Sequence, residues 1–164
     1  MQIRKATYKD LSAILILQKE AFLQEAEIYN DYTIQPLKET QQEIENDFSK
    51  ENKYFFIIEK NEQIIAAVRA EIDNNLCSVQ KLIVKPEFQN KGLGKLLMNT
   101  IEDNFRNIKK FILFTGEKSE KNISFYTKLG YQIVRKGKYL DNIHKVFMEK
   151  SIEAESRKSE ESFL

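Results

Sequence analysis

The sequence predicts one mixed α/β (α+β) domain. Three observations predict it: consecutive apolar, β-rich runs with short polar links between them, helical periodicity before and after those runs, and a length of 164 residues. That length suits one compact core and is short for two ordinary ones.

Taken in chain order, Ile3-Arg4-Lys5-Ala6-Thr7 alternates as a short strand. Asp10 stands at an N-cap position before Leu11, Ile14, Leu15, Gln18 and Phe22, which repeat at helical spacing. Residues 29–36 read as a loop, with Pro36 stopping any helix before it. A second, weaker helix is predicted over 37–48, with Leu37, Gln41, Ile44 and Phe48 on one face. Strands follow at 54–59, 64–71 and 76–84, linked by Lys60-Asn61-Glu62-Gln63 and Asp73-Asn74-Asn75. Such short polar links predict hairpins, hence an antiparallel meander of the second, third and fourth strands. Pro86 ends the third run, and after Gly92-Leu93-Gly94 a helix is patterned by Leu93, Leu96, Leu97, Thr100, Ile101 and Phe105. Residues 111–115 make a further strand, and a helix over about 119–129 is closed by Gly130 at its C′ position. Residues 131–135 and 143–150 form a last strand pair. The domain is expected over 1–150, with a polar, frayed tail over 151–164.

Composition narrows the class. With 41% hydrophobic residues, 5 Gly and 2 Pro, the chain is neither fibrous nor wholly disordered. One cysteine, Cys77, excludes an internal disulfide framework and a cysteine-built metal site, and no metal is expected. No apolar run approaches the ~18 residues of a membrane span. The opening MQIRKATYKD lacks the apolar segment of a secretory signal. The expectation is a cytoplasmic protein, monomer or homodimer, with neither membrane nor nucleic acid as partner.

The near-equal totals, 26 basic and 25 acidic residues, conceal a split. Residues 20–51 hold nine acidic side chains against Lys38 and Lys50, a balance of −7, whereas residues 52–150 carry +7.

Chemistry concentrates in two windows. In the first, strand Leu82-Ile83-Val84 leads through Pro86 to Gln89-Asn90-Lys91-Gly92-Leu93-Gly94-Lys95. Glycines at a helix N-terminus let a ligand approach unpaired N–H groups, and Lys91 and Lys95 add positive charge, so the pattern fits a phosphate cradle. A P-loop is excluded because Leu96 follows Lys95, and a dinucleotide fingerprint because Leu97 stands where a third glycine belongs. A plain glycine-rich turn into an amphipathic helix is the competing reading. In the second window, Asn122 and Tyr126 share a helix face at i, i+4, and Gly130-Tyr131 follow. Taken alone, Tyr126 also reads as a core phenol.

Together the windows resemble the GCN5-related N-acetyltransferase (GNAT) superfamily over roughly residues 1–150. Gln89, Gly92 and Gly94 fit its acyl-CoA signature Gln/Arg-x-x-Gly-x-Gly/Ala, and Asn122, Tyr126, Gly130 and Tyr131 fit Asn-x-x-x-Tyr-x-x-x-Gly-Phe/Tyr. The resemblance implies splayed strands at an acetyl-CoA site with helices on both faces of the sheet. It implies that Leu82, Ile83 and Val84 offer backbone groups to the pantetheine arm, and that the amides of Gln89, Asn90, Lys91, Gly92, Leu93, Gly94 and Lys95 hold the pyrophosphate. Asn122 would contact the pantetheine, and Tyr126 would protonate the departing thiolate as an amine attacks the thioester directly. Cys77 is then no nucleophile but a small buried hydrophobe. One position departs from the pattern: many members carry glutamate where Gln80 stands, and Gln80 cannot accept a proton. Glu71, an acid of the acceptor lobe, a water chain or His144 are the remaining candidates for a base.

The family's acceptor wall follows the first strand, which is the acidic segment here. Glu25 and the expected substrate residues Glu27, Tyr29, Asp31 and Tyr32 suit a small cationic amine through charge and cation–π contact, with Glu71 and Gln80 at the strand side. A solvated acidic helix pair explains the same charges. A protein N-terminus or lysine is the second acceptor class, and a non-catalytic acyl-CoA-binding module is the reading outside enzymes.

Overall fold

The second strand alternates Phe55 and Ile57 with Phe56 and Ile58, apolar on both faces, so it requires cover on both faces. The computed structural model, which describes residues 1–138 and 144–152, supplies that cover. The strands are β1 (Gln2–Lys5), β2 (Lys53–Lys60), β3 (Gln63–Asp73), β4 (Leu76–Val84), β5 (Lys110–Gly116), β6 (Gln132–Lys138) and β7 (His144–Ser151). They form one sheet in the order β1-β2-β3-β4-β5-β7-β6, parallel only between β4 and β5. The expected meander is β2-β3-β4. Its first turn places Asn61 and Glu62 at φ 50° and 62°, the pair of positive φ values that a two-residue hairpin needs.

The helices are α1 (Leu11–Tyr29), α2 (Gln35–Lys38), α3 (Gln41–Phe48), α4 (Leu93–Asn104) and α5 (Glu120–Lys128). On one face Leu11, Ile14 and Leu15 of α1 and Ile44 of α3 pack on Phe55, Ile57, Ala67 and Ile83. On the other, Leu93, Leu97, Met98 and Ile101 of α4 meet Phe56, Ile58, Val68, Val79 and Phe111, with Phe125 and Tyr126 of α5 at the margin. Each such fully buried side chain is worth about 1.5–3 kcal/mol of transfer free energy.

Four local expectations are corrected. The loop expected over 29–36 begins one residue later, since α1 runs to Tyr29, where Asn30 at φ 47° closes it in the left-handed conformation. Tyr29 therefore projects from a helix, not a loop. Pro36 does not stop a helix but opens α2, in whose first turn its missing N–H has no intrahelical partner to lose. The predicted helix over 37–48 is broken at Glu39-Thr40, because Thr40 and Glu43 form a capping box that starts α3 afresh. Asp10, expected as a cap for α1, turns its carboxylate to the N–H of Thr7 (2.7 Å) and to Arg4 (2.7 Å). Ile143, expected to begin the last strand, and the tail from residue 153 lie outside the described residues; Ser151 pairs with Lys110 in β7. Among the described residues no helix is long and apolar enough to cross a membrane.

Candidate active site

β4 and β5 pair only where Leu76, Cys77 and Ser78 meet Lys110, Phe111 and Ile112. Beyond Ser78 they part: β4 stays with β3 as far as Val84 opposite Ala66, and β5 stays with β7 as far as Gly116 opposite Lys145. The expected splay is therefore present. A β-bulge lies within the parted stretch of β4. Ala67 faces Ile83 but Arg69 faces Gln80, so Val68 faces two β4 residues, and Lys81 takes φ 49°.

The wedge opens into a cavity of about 380 Å³ lined by Leu82, Ile83, Val84 and Gln89, by Ala21, Phe22, Gln24, Glu25 and Ile28 of α1, and by residues 118–122. At its strand end, Gln89 Nε2 donates to the Val84 carbonyl and to Gln24 Oε1, both at 3.2 Å, tying the loop to β4 and α1. Asn90 (φ 62°) and Gly92 (φ 83°) turn the chain into α4, and a Cβ on Gly92 would meet nothing within 4 Å. The loop thus delivers the first-turn N–H groups of α4, with exposed Lys91 and Lys95 beside them. Gly94 has a different reason: a Cβ there would lie 3.1 Å from Phe125 Cζ, so it sets the approach of α4 to α5.

At the other end, Asn122 Nδ2 donates to Glu25 Oε1 at 3.0 Å and to Thr115 Oγ1 at 3.4 Å. Ser119, 2% exposed, donates its hydroxyl to the same Glu25 carboxylate at 2.7 Å. Tyr126 sits one turn beyond Asn122, half-buried and not among the residues lining the cavity, with its ring 5.1 Å from Phe125 and 5.9 Å from Tyr131. Burial, reinforced by the Glu25 charge, raises its phenol well above the ordinary value. The phenol therefore stays neutral at ordinary pH.

Of the expected acceptor residues, Glu25 lines this cavity and Glu27, Tyr29, Asp31, Tyr32, Glu71 and Gln80 do not. Glu27 is exposed on α1 and Tyr32 is 55% exposed. Tyr29 accepts the Lys118 N–H at 2.8 Å and packs against Gly116, bracing α1 against the turn after β5. Asp31 accepts the hydroxyl and N–H of Thr33 (2.6 and 2.8 Å), which lower its carboxyl below the ordinary value. Glu71 and Gln80 join Lys53: the lysine lies 3.0 Å from Glu71, and Gln80 Nε2 donates to Glu71 at 3.1 Å. Lys53 and Gln80 hold the Glu71 carboxyl low, which weakens it as a base. His144 is exposed at the start of β7. Cys77 is fully buried in the core, and burial pushes its thiol up to about 12.

Two arrangements lay beyond sequence reasoning. Glu25 was named with its acidic segment, but its pairing with Ser119 and Asn122, 94 and 97 residues away, was not foreseen. The second is an ionic cluster of Glu39, Arg69, Lys81, Asp47 and Lys53, which lines a separate cavity of about 340 Å³. The Thr40-x-x-Glu43 box, which ends α2 beside Glu39, was a readable sign of the break.

Comparison with known proteins agrees with this geometry. The chain is 27% identical over 119 residues to the UPF0157 protein YqkA of Bacillus subtilis (strain 168), a match covering 73% of this chain and 34% of that one. The matched region thus spans about a third of the relative's length. The ribosomal-protein-S18-alanine N-acetyltransferase of Escherichia coli has the same fold, with TM-score 0.76, 16% identity, and 92% and 93% of the two chains covered. So does the PaiA N-acetyltransferase of Thermoplasma acidophilum, solved with coenzyme A, with TM-score 0.69, 21% identity, and 92% and 98% covered. Residues 17–131 match the acetyltransferase (GNAT) family, and with the parted strands and both motifs in place the chain belongs to that family of acyl-CoA-dependent N-acetyltransferases.

Proposed function

We propose that this protein transfers an acetyl group from acetyl-CoA to an amine, first of all a small cationic one. The observation that carries the reading is the parting of β4 from β5 after Ser78, which leaves Leu82, Ile83 and Val84 along a cavity with a glycine loop at one end and Asn122 at the other. An extended pantetheine arm fits such an edge as a surrogate strand. The amides of Gln89 to Lys95, with Lys91 and Lys95, suit the pyrophosphate. Because Asn122 Nδ2 is engaged by Glu25, its Oδ1 is the atom left to accept an N–H from the arm.

The amine nitrogen attacks the thioester carbon, a C–N bond forms, and the C–S bond breaks. Tyr126 gives its proton to the departing sulfur, whose thiol has an ordinary pKa near 8.5, and the proton shed by the attacking nitrogen as the amide forms returns through water to the phenol. The ammonium proton of the acceptor leaves to water before attack, so Gln80 in place of a carboxylate is tolerable. Glu25 and Glu120 are the acids of the cavity lining, beside Lys118 and Lys121, and Glu27 and Asp31 on the α1 side add to a field that draws in a cation.

The test is CoA release from acetyl-CoA across a panel of amines, peptides and antibiotics, with mass identification of the product and Tyr126→Phe in parallel. Acetylation of a small amine, slowed by about 10²–10⁴ in Tyr126→Phe, is expected. Tight acetyl-CoA binding without turnover on any acceptor would replace the enzyme with a binding module.

A further inference from the structure

The β4 bulge has an unusual occupant. Lys81 takes φ 49°, a conformation that costs a long L side chain energy and that glycine or asparagine would accept readily. The lysine is not serving the surface, since its side chain is only 18% exposed. Its ammonium donates to Glu39 Oε2 at 3.0 Å, across 42 residues of sequence.

Glu39 is itself a junction. It is 4% exposed and sits in the break between α2 and α3. Arg69 of β3 holds it with both terminal nitrogens, at 2.7 and 3.1 Å, and Gln18 of α1 donates to it at 3.0 Å. Gln18 also accepts from Arg69 at 2.8 Å and donates to the Pro36 carbonyl at 2.9 Å. A buried carboxylate therefore fixes α1, β3 and the β4 bulge to one point. The next residue after the bulge is Leu82, the first of the three that line the wedge.

We propose that the Lys81–Glu39 pair is a positioning device: it holds the bulge so that Leu82, Ile83 and Val84 leave β5 at the angle the acyl-CoA arm needs. Lys81 is a positioning residue in this scheme and touches no reacting atom. The bulge aims a strand edge, and the ion pair fastens the bulge to a packed helix layer. The proposal rests on the reading of the wedge as the acyl-CoA site.

Three variants separate tether from backbone strain. Lys81→Gly relieves the positive φ and removes the tether, Lys81→Met keeps the stem without the charge, and Lys81→Arg keeps the charge. Each is measured for CoA affinity by calorimetry and for thermal midpoint. The device predicts CoA binding weaker by about tenfold (about 1.4 kcal/mol) in the Gly and Met variants and near wild type in the Arg variant. It also predicts that Lys81→Gly loses affinity even where its midpoint matches wild type. CoA affinity unchanged in Gly and Met, with only the midpoint moved, would overturn the proposal and leave a structural ion pair. No CoA binding by the unaltered protein would overturn the wedge reading instead, and the device with it.

Discussion

Glu25 Oε1 lies 3.0 Å from Asn122 Nδ2, joining α1 to the first turn of α5 across the mouth of the wedge. The contact fixes which way the Asn122 amide points. It also sets a carboxylate close enough to Tyr126 to act on its phenol. Substituting Glu25→Gln removes the charge and sets one amide against another. The expected result is a fall in kcat/KM for acetyl-CoA of about 10–100-fold, roughly 1.4–2.7 kcal/mol, with a weaker CoA complex. Steady-state kinetics and CoA titration check it; unchanged values would mean that the contact only braces the fold.

A methyl group has no room at Gly116. A Cβ there would stand 2.0 Å from the Tyr29 hydroxyl oxygen and 2.6 Å from Cζ, so the whole ring must move and its bond to the Lys118 N–H is lost. Gly116→Ala should cost about 1–3 kcal/mol by overpacking. Adding Tyr29→Ala should recover part of that loss, and thermal melts of the two single variants and the double variant measure the coupling.

Stability should fall on the acid side in a defined window. Burial alone would raise the Glu39 carboxyl, but Arg69, Lys81 and Gln18 together hold it at about 2, below its ordinary 4.5. A lowered carboxylate contributes stability that is complete above 4.5 and is lost as pH falls through 2. Asp10, lowered to about 2 mainly by Arg4, acts in the same direction, but water screens that more exposed pair. Urea midpoints measured from pH 6 downwards should decline chiefly between 4.5 and 2, and a flat profile there would contradict the ionic junction.

Cys77 should be silent. Its thiol is fully buried and raised to about 12, so thiolate is scarce at neutral pH. Iodoacetamide at pH 8 should label it only after denaturation, as mass spectrometry will show.

Much of this fold was written locally. β2, β3 and β4 follow from alternation and polar turns, and Gly130, at φ 98°, closes α5 as its position predicted. The strand edge and glycine loop along one side of the cavity were legible for the same reason, since residues 82–95 are contiguous. The opposite wall was not. Pro36 is compatible with stopping one helix or starting another, and only packing of α2 beside Gln18 decides. Glu25 looked like its acidic neighbours because its role depends on Ser119 and Asn122, brought to it by the turn after β5. The partners of Lys81 are equally remote, and nothing in the run Val79-Gln80-Lys81-Leu82 announces a bulge.

The most direct test of the account is amide hydrogen exchange with and without CoA, read at Leu82, Ile83 and Val84. If the arm pairs with the β4 edge, exchange there should slow when CoA is added, together with the amides of residues 92–95. CoA binding that leaves the three β4 amides unchanged while protecting other segments would contradict it.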